Sequence, residues 1–442
     1  MHDAETGELI KSASRPHPEG TEVNPYAWWE ALQGVIQDVG GLDDISAIGI
    51  AGQQHGMVLL DEVGEVIRPA LLWNDTRSSS SASQLNAEFP NIHELTGSQL
   101  VASFTAAKVR WVRDCEPENA SKVRAIALPH DWLSWKLSES SDIAEIFSDR
   151  SDASGTGYFD GVSGNYVNEL ITASLGHENV QLPRIIEPNE FGFNNGKLKI
   201  SAGAGDNAAG ALGVGAELGD LVISVGSSGT AFAVSATPTH DATGEVAGFA
   251  DATGNFLPLA CTLNAARIFD SVTSLLGISF DEFSKIALES QPGAGGITFL
   301  PHFDGERTPN RPDLKGNLAG LTHQNFNPSN LARASIEGVL SGIAYAANRF
   351  ELLGVCSTRI LLIGGASRNP AVQQIAAEIF GKDVYVPPFG EYVAKGAAKQ
   401  AAWALLGGKK LPTWESKDFA KIESSSSNPE VRERYFHAIE SL

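Results

Sequence analysis

Residues 203–213 read GAGDNAAGALG and follow the strand-like run LKIS. One carboxylate, Asp206, stands there among four glycines and four alanines. Glycine lets a backbone turn sharply and lets a ligand approach closely. Two readings of the stretch are open. In one, Asp206, or Asn207 beside it, caps the start of a helix. In the other, Asp206 is a lone general base at the mouth of a cleft. The stretch also fits the dinucleotide pattern GxGxx(G/A), which requires an acidic residue at the end of the next strand, ~20 residues on. Here the next strand, LVISV, runs into GSSGT with no carboxylate, so the dinucleotide reading fails.

Outward from that stretch the chain is α/β. Downstream, LVISV and AFAVS flank the turn GSSGT (226–230). A long helical pattern covers 329–353. ILLI-GGASRN-PAVQQIAAEIF-GKD-VYVP reads as a βαβ unit. Asn369 caps its helix, Pro370 fills the first turn, and Val372, Ile375, Ala376 and Ile379 form the apolar face. VAKGAAKQAAWALLG is a further helix, and the last thirty residues read as a surface helix with a loose connector. Upstream, Asn24-Pro25 opens a helix whose apolar face is Trp28, Leu32, Val35, Ile36 and Val39. ISAIGI is a buried strand ending in AGQQHG, and the hairpin MVLLD-EVGE-VIRPALLW ends in NDTR. Residues 77–150 are largely helical, with the serine run at 78–83 a loop or a helix start. The two units meet near residues 214–220. Ligands in open α/β sheets bind at the carboxyl ends of strands, so the polar glycine loops of both units are expected to face one cleft.

Length and composition restrict the partners. A chain of 442 residues exceeds one ordinary core, and two or three domains are expected. The formal net charge is −21, which argues against nucleic acid and anionic membrane surfaces as partners. An anionic substrate must then be held by local N–H groups or a metal ion. Cys115, Cys261 and Cys356 have no metal or CxxC spacing, so reduced core thiols are expected. No run reaches the ~18 apolar residues of a membrane helix, and MHDAETGE is too acidic for a secretory signal.

Each loop carries a bland and a sharp meaning. GSSGT offers consecutive N–H groups and three hydroxyls, a phosphate cradle or an ordinary hairpin turn. GGASRN (364–369) leads to a helix N-terminus, an anion site or a tight joint. No GxxxxGK[ST] occurs, which excludes a P-loop. His55, in GQQHG, is structural or part of a polyol-binding loop. Asn74 and Asp75, in WNDTR, bond sugar hydroxyls or cap the next helix. HFDGERTP (302–309) is too polar for a core and has no assignment from its chemistry alone.

Together these pieces resemble the FGGY family of carbohydrate kinases, and within it the xylulokinases most closely. The resemblance rests on GQQHGMVLLDEVGEVIRPALLWNDTR, SFTAAKVRWVRDCEPE, LPHDWLSWKL, SDASGTGY, GAGDNAAGALG, SVGSSGTAFAVS, FDGERTPN and LLIGGASRNPAVQQIAAEIFG. These occur in the family's order over roughly residues 1–406. The resemblance implies an α/β fold of two duplicated actin-like ATPase (ribonuclease H-like) domains around a cleft. Residues 1–216 would hold the sugar and 217–442 would hold ATP. It implies Asp206 as catalytic base and Gln54 and His55 as the sugar-binding pair, with Asp75 and Phe104 in matching loops. Gly229 and Thr230 match the β-phosphate turn, and Gly364, Gly365 and Asn369 the adenosine segment.

The implied reaction is ATP-dependent phosphorylation of D-xylulose to D-xylulose 5-phosphate with Mg²⁺, in the cytoplasm, with a homodimer allowed. The alternatives are another ketose or polyol kinase of the family, or a catalytically dead sugar-binding protein. One departure stands out. The family's opening strand and DxGT turn, which carries an aspartate for Mg²⁺, have no counterpart here. The chain opens at what would be the second strand of that hairpin, DAETGE followed by LIKSAS. The expectations are an unpaired sheet edge in the first domain, a chain that is weak or inactive as given, and no metal-holding residue.

Overall fold

A computed structural model describes residues 1–414, 419–424 and 428–441. The first half is built from helices and short strands. Asn24 accepts a hydrogen bond from the Tyr26 amide and starts α1 (Pro25–Asp38), as the Asn-Pro pair predicts. Strand β1 (Ala51–Gly52) follows, extended upstream by a bridge from Ile48 to Ile200. The expected hairpin is present, with Leu60 bridged to Val66 and Met57 to Leu71. Helices α2 (Thr105–Cys115), α3 (Pro129–Leu137) and α4 (Arg150–Ser154) come next. The serine run at 78–83 enters the helix Ser79–Glu88. Strand β2 (Ala204–Gly205) then lies parallel to β1, with Ala51 opposite Ala204 and Gly52 opposite Gly205. It leads directly into α5 (Asp206–Val214).

The second half carries a seven-stranded sheet. Its strands are β3 (Asp220–Val225), β4 (Gly229–Ala233), β5 (Ala247–Ala250), β6 (Phe256–Thr262), β7 (Arg359–Ile363), β8 (Val384–Val386) and β9 (Ala420–Ile422). Their order is β5-β6-β4-β3-β7-β8-β9, antiparallel from β5 to β3 and parallel through β3, β7 and β8. Helices α6 (Pro328–Leu352), α7 (Pro370–Phe380) and α8 (Tyr392–Leu406) complete it. LVISV and LLI are apolar but for Ser224, at the cavity end, because both faces of the sheet are covered. Ile223, Val225 and Leu362 pack with Ile336, Leu340 and Ile343 of α6 and Val372 and Ile375 of α7. On the other face Val222, Phe232 and Leu361 meet Ala208 and Leu212 of α5.

Two expectations change. LIKSAS is not a strand: a single bridge joins Leu9 to His2, although the turn holds through Gly7 N donating to Asp3 O at 3.0 Å. Leu9 and Ile10 are 58% and 63% exposed, and backbone pairing without a buried face does not sustain a ribbon. The strands of the first half stay short: Val58–Leu60 pairs with Ala125–Ala127, and Leu71 meets both Glu22 and Met57. Of the three free thiols, Cys115 and Cys356 are exposed and only Cys261 is partly buried, so they are not core residues as a group. The C-terminal surface helix is present at Pro429–Glu440, whereas residues 425–427 of its serine connector lie outside the described residues.

The halves join where α5 and α8 cross. A Cβ on Gly213 would stand 1.8 Å from the Tyr392 carbonyl oxygen, and one on Gly396 would stand 1.8 Å from that of Ala209. Two helices approach backbone to backbone here, and neither site has a flexible side chain that could yield. Gly213→Ala and Gly396→Ala should each destabilise the protein by about 3 kcal/mol or more. Urea unfolding checks this; a midpoint within error of the parent would show that the crossing is slack.

Candidate active site

Asp206 is the first residue of α5, not its cap. Gly205 holds the cap position and makes no side-chain bond. The Asp206 carboxylate instead accepts from its neighbour, at 2.9 Å from the Asn207 amide and 3.0 Å from Asn207 Nδ2. The amide of Gln54, at the end of β1, also reaches it. Burial pushes its carboxyl above the usual range, and these hydrogen bonds to the charged form hold it back. A carboxyl so raised is a better proton acceptor than a solvated one.

A cavity of about 350 Å³ opens beside Asp206. Thr230, Gly364, Gly365, Arg368 and Phe389 are among its other walls. Thr230, the last residue of GSSGT, lies on β4 opposite Ser224 of β3, and in the turn Gly226 N donates to Ser228 O at 3.1 Å. Gly364 has φ of +91°, and a Cβ there would stand 2.6 Å from the Val225 carbonyl oxygen, so only glycine lets β7 end against β3. Gly365 faces open space, with nothing within 4 Å of an added Cβ. The Arg368 guanidinium lies 4.3 Å from the centre of the Phe389 ring, a cation–π pair on the cavity wall.

Two of the expected nucleotide residues are not on that wall. Gly229 lies beneath it, where a Cβ would stand 2.4 Å from Thr262 Oγ1. Asn369 is committed to its helix: its Oδ1 accepts from the Ala371 amide at 2.9 Å and from Ser284 Oγ at 2.9 Å. That is the capping role read from Asn-Pro.

On the far side of Asp206, Gln54 and His55 occupy the loop after β1. The Gln54 side chain crosses Gly205, where a Cβ would stand 2.8 Å from Gln54 Cγ, and its Nε2 donates to Ser151 O at 3.0 Å. His55 has φ of +70°. Its Nδ1 donates to Gly155 O at 2.5 Å, which leaves Nε2 as an acceptor. Its ring lies 4.8 Å from Phe104 and 5.6 Å from Phe249, the latter on β5 of the second half. Buried Lys108 supports the loop from below, its Nζ donating to His55 O at 2.8 Å and Ser103 O at 2.6 Å. Burial brings that amine down to about 7.

Asp75 is buried and paired with its neighbour. Its carboxylate binds Arg77, at 2.9 Å from Nε and 3.0 Å from the amide. Burial raises its carboxyl, but bonds from Thr21 and Arg77 outweigh that and hold it below the usual range.

Reasoning from the sequence missed Lys108, Phe249, Arg368 and Phe389. Lys108 reads as an ordinary polar position of AAKVRW, and Phe249 gives no local signal. Phe389 had one, a large aromatic in the Pro-Pro-Phe-Gly turn after a strand.

Burial, with the Lys108 and Arg307 charges nearby, lowers the His55 imidazole from 6.5 to about 3. The unfolded chain therefore takes up a proton that the folded chain refuses. The stability this neutral histidine confers is full above pH 6.5 and is lost as pH falls toward 3. Between pH 6.5 and 5.5 the parent should lose about 1 kcal/mol more than His55→Gln. Urea unfolding at both pH values measures this, and parallel pH dependence would contradict it.

Comparison with known proteins accounts for this geometry. Residues 5–213 match the N-terminal domain of the FGGY family of carbohydrate kinases, and residues 221–405 match its C-terminal domain. The chain is 41% identical over 424 residues to a xylulose kinase of Streptomyces coelicolor, covering 92% of this chain and 85% of that one. It is 34% identical over 436 residues to a xylulose kinase of Escherichia coli, covering 92% and 88%. The crystal structure of xylulose kinase from Bifidobacterium adolescentis superposes with a TM-score of 0.92 at 41% identity, over 99% of this chain and 96% of that one. With one family model on each half, and Asp206 where the two halves face one cavity, the chain belongs to the FGGY family of carbohydrate kinases.

Proposed function

We propose that this kinase transfers the γ-phosphoryl group of ATP to the terminal hydroxyl of D-xylulose, giving D-xylulose 5-phosphate. One observation carries the reading: Asp206 lines the 350 Å³ cavity on one side and is held by the Gln54 loop on the other. A group in that place can serve two substrates at once.

In this reading ATP occupies the cavity, its phosphates toward Thr230 and the base toward Arg368 and Phe389. The sugar lies against Gln54, His55 and Phe104, with His55 Nε2 accepting from a hydroxyl. Asp206 takes the proton from the attacking hydroxyl as the new P–O bond forms and the bond to ADP breaks. Most of the gain in phosphoryl transfer comes from positioning and charge neutralisation, with the base contributing ~10²–10⁴-fold. Gly365 keeps a side chain out of the path, while Gly364 and Gly229 let the strand ends behind it pack closely. Asp75 and Asn369 brace the loops they cap, through Arg77 and the first amides of α7.

The cavity wall offers two carboxylates, Asp206 and Glu391, too few for a protein cage. Mg²⁺ would therefore be held chiefly by the phosphates of ATP, with Asp206 the nearest protein oxygen donor, where it would offset phosphate charge. We set the boundary between the halves in the turn at residues 215–219, and place the enzyme in the cytoplasm because its three thiols are unpaired. No helix among the described residues is long and apolar enough to cross a membrane.

Coupled ADP release with Mg-ATP and a panel of ketoses and polyols tests the reaction. Turnover should be highest with D-xylulose, and a clear preference for another sugar would overturn the assignment. Asp206→Asn should lower kcat by ~10³-fold while the affinity for D-xylulose, followed by calorimetry, changes less than about threefold. Turnover close to the parent's would show that Asp206 is not the base. Phe389→Ala should raise the KM for ATP about tenfold and leave the sugar KM unchanged; an effect on the sugar instead would misplace the adenine.

A further inference from the structure

His130, Asp131 and Asp152 meet inside the first half, none more than 1% exposed, and the chemistry above uses none of them. His130 Nδ1 stands 2.5 Å from Asp152 Oδ2, and Nε2 stands 3.3 Å from both Asp131 Oδ1 and the Ala202 carbonyl oxygen. Burial alone would keep the imidazole neutral, but Asp131 and Asp152 on two sides raise it; burial raises both carboxyls in turn, so one proton is held between His130 Nδ1 and Asp152 Oδ2. A buried polar pair is often no more stabilising than an apolar one of the same size. Its use must then lie in what it fixes.

The two partners sit on different helices beneath the active site. The His130 ring occupies the space a side chain at Gly203 would need, with Cδ2 2.4 Å from the Cβ position. Its own Cβ lies 3.0 Å from the Cβ position of Gly52. The residue is thus wedged under β1 and β2 at the point where they pair. Asp152 belongs to α4, whose start Asp149 caps by accepting from the Ser151 and Asp152 amides at 2.8 and 3.0 Å. Around α4 gather the bonds that hold the site. Ser151 O accepts from Gln54 Nε2, Ser151 Oγ accepts from the Gly205 amide at 3.2 Å, and Gly155 O accepts from His55 Nδ1. One short helix touches both sugar-loop residues and the residue before Asp206.

We propose that His130 and Asp152 are positioning residues whose short buried hydrogen bond clamps α4 to the paired ends of β1 and β2, setting the sugar loop in register with Asp206. The clamp rests on the kinase reading above and adds to it a division of labour. Loosening α4 moves the sugar and the base relative to each other, and leaves the nucleotide wall on β4, β7 and the 386–393 segment in place. Displacement of a reacting group by about 1 Å can cost 10²-fold in rate.

The test uses the full chain at a temperature well below unfolding. Parent turnover with D-xylulose and the sugar panel comes first, so that failure of the substrate assignment is seen on its own; the variants are then compared on whichever sugar the parent phosphorylates. His130→Gln and Asp152→Asn should each lower kcat and raise the sugar KM at least about tenfold, with the KM for ATP within about twofold of the parent. Parental kcat and sugar KM with only a lower Tm would overturn the clamp and leave the kinase reading standing. Nitrogen-15 spectra of histidine-labelled parent protein keep the proposal testable if a variant does not fold. His130 Nδ1 should show the shift of a strongly hydrogen-bonded nitrogen at pH 8, and the shift of a nitrogen with no hydrogen bond there would overturn it. A stoichiometric metal ion lost on mutating His130 would also overturn it, because the three side chains would then be ligands.

Discussion

The site depends on a steric constraint at residues 203–213. A side chain at Gly203 would collide with the His130 ring, one at Gly205 with the Gln54 side chain, and one at Gly213 with the backbone of α8. The turn is walled by the sugar loop, the buried histidine and the opposite domain at once. Glycine and alanine are what such a space admits, and the single longer polar pair, Asp206 and Asn207, stands where the wall opens into the cavity. The composition of the stretch and the exposure of its carboxylate are two consequences of one packing arrangement.

Electrostatics follows from the same arrangement. A chain with a net charge of −21 repels ATP at long range, so the nucleotide must be held by short-range donors. The cavity supplies backbone at Gly364 and Gly365, the Thr230 hydroxyl and Arg368. Beneath the sugar loop the pattern is different. Lys108 and His130 are enclosed completely, each bonded to the backbone or carboxylates that shape the loop. Those buried groups organise the protein; the nucleotide wall faces the ligand.

Much of this was legible in the sequence. Helix starts at Asn24-Pro25 and Asn369-Pro370, the βαβ unit and the GSSGT hairpin declare themselves through capping, proline and period, which are local properties. The membership of Asp206, Thr230, Gly364 and Gly365 in one cleft was legible because glycine loops at strand ends share a side of the sheet. Contacts between distant segments were not. The approach of Phe249 to His55 joins the two halves, and the Arg368–Phe389 pair forms only after β8 folds back beside β7. Asn369 and Asp75 looked like ligand groups because their residue types are, but both spend their oxygens on neighbouring groups. LIKSAS has the alternation of a strand and no surface on which to bury it.

The central claim is that Asp206 stands between two substrates. A crystal structure with ADP and D-xylulose bound together measures it directly. The account predicts the terminal sugar hydroxyl within hydrogen-bond reach of the Asp206 carboxylate, about 3 Å, and on the side facing the ADP β-phosphate at Thr230. A sugar bound with that hydroxyl turned away from Asp206, or ADP bound outside the cavity at Gly364 and Gly365, would contradict it.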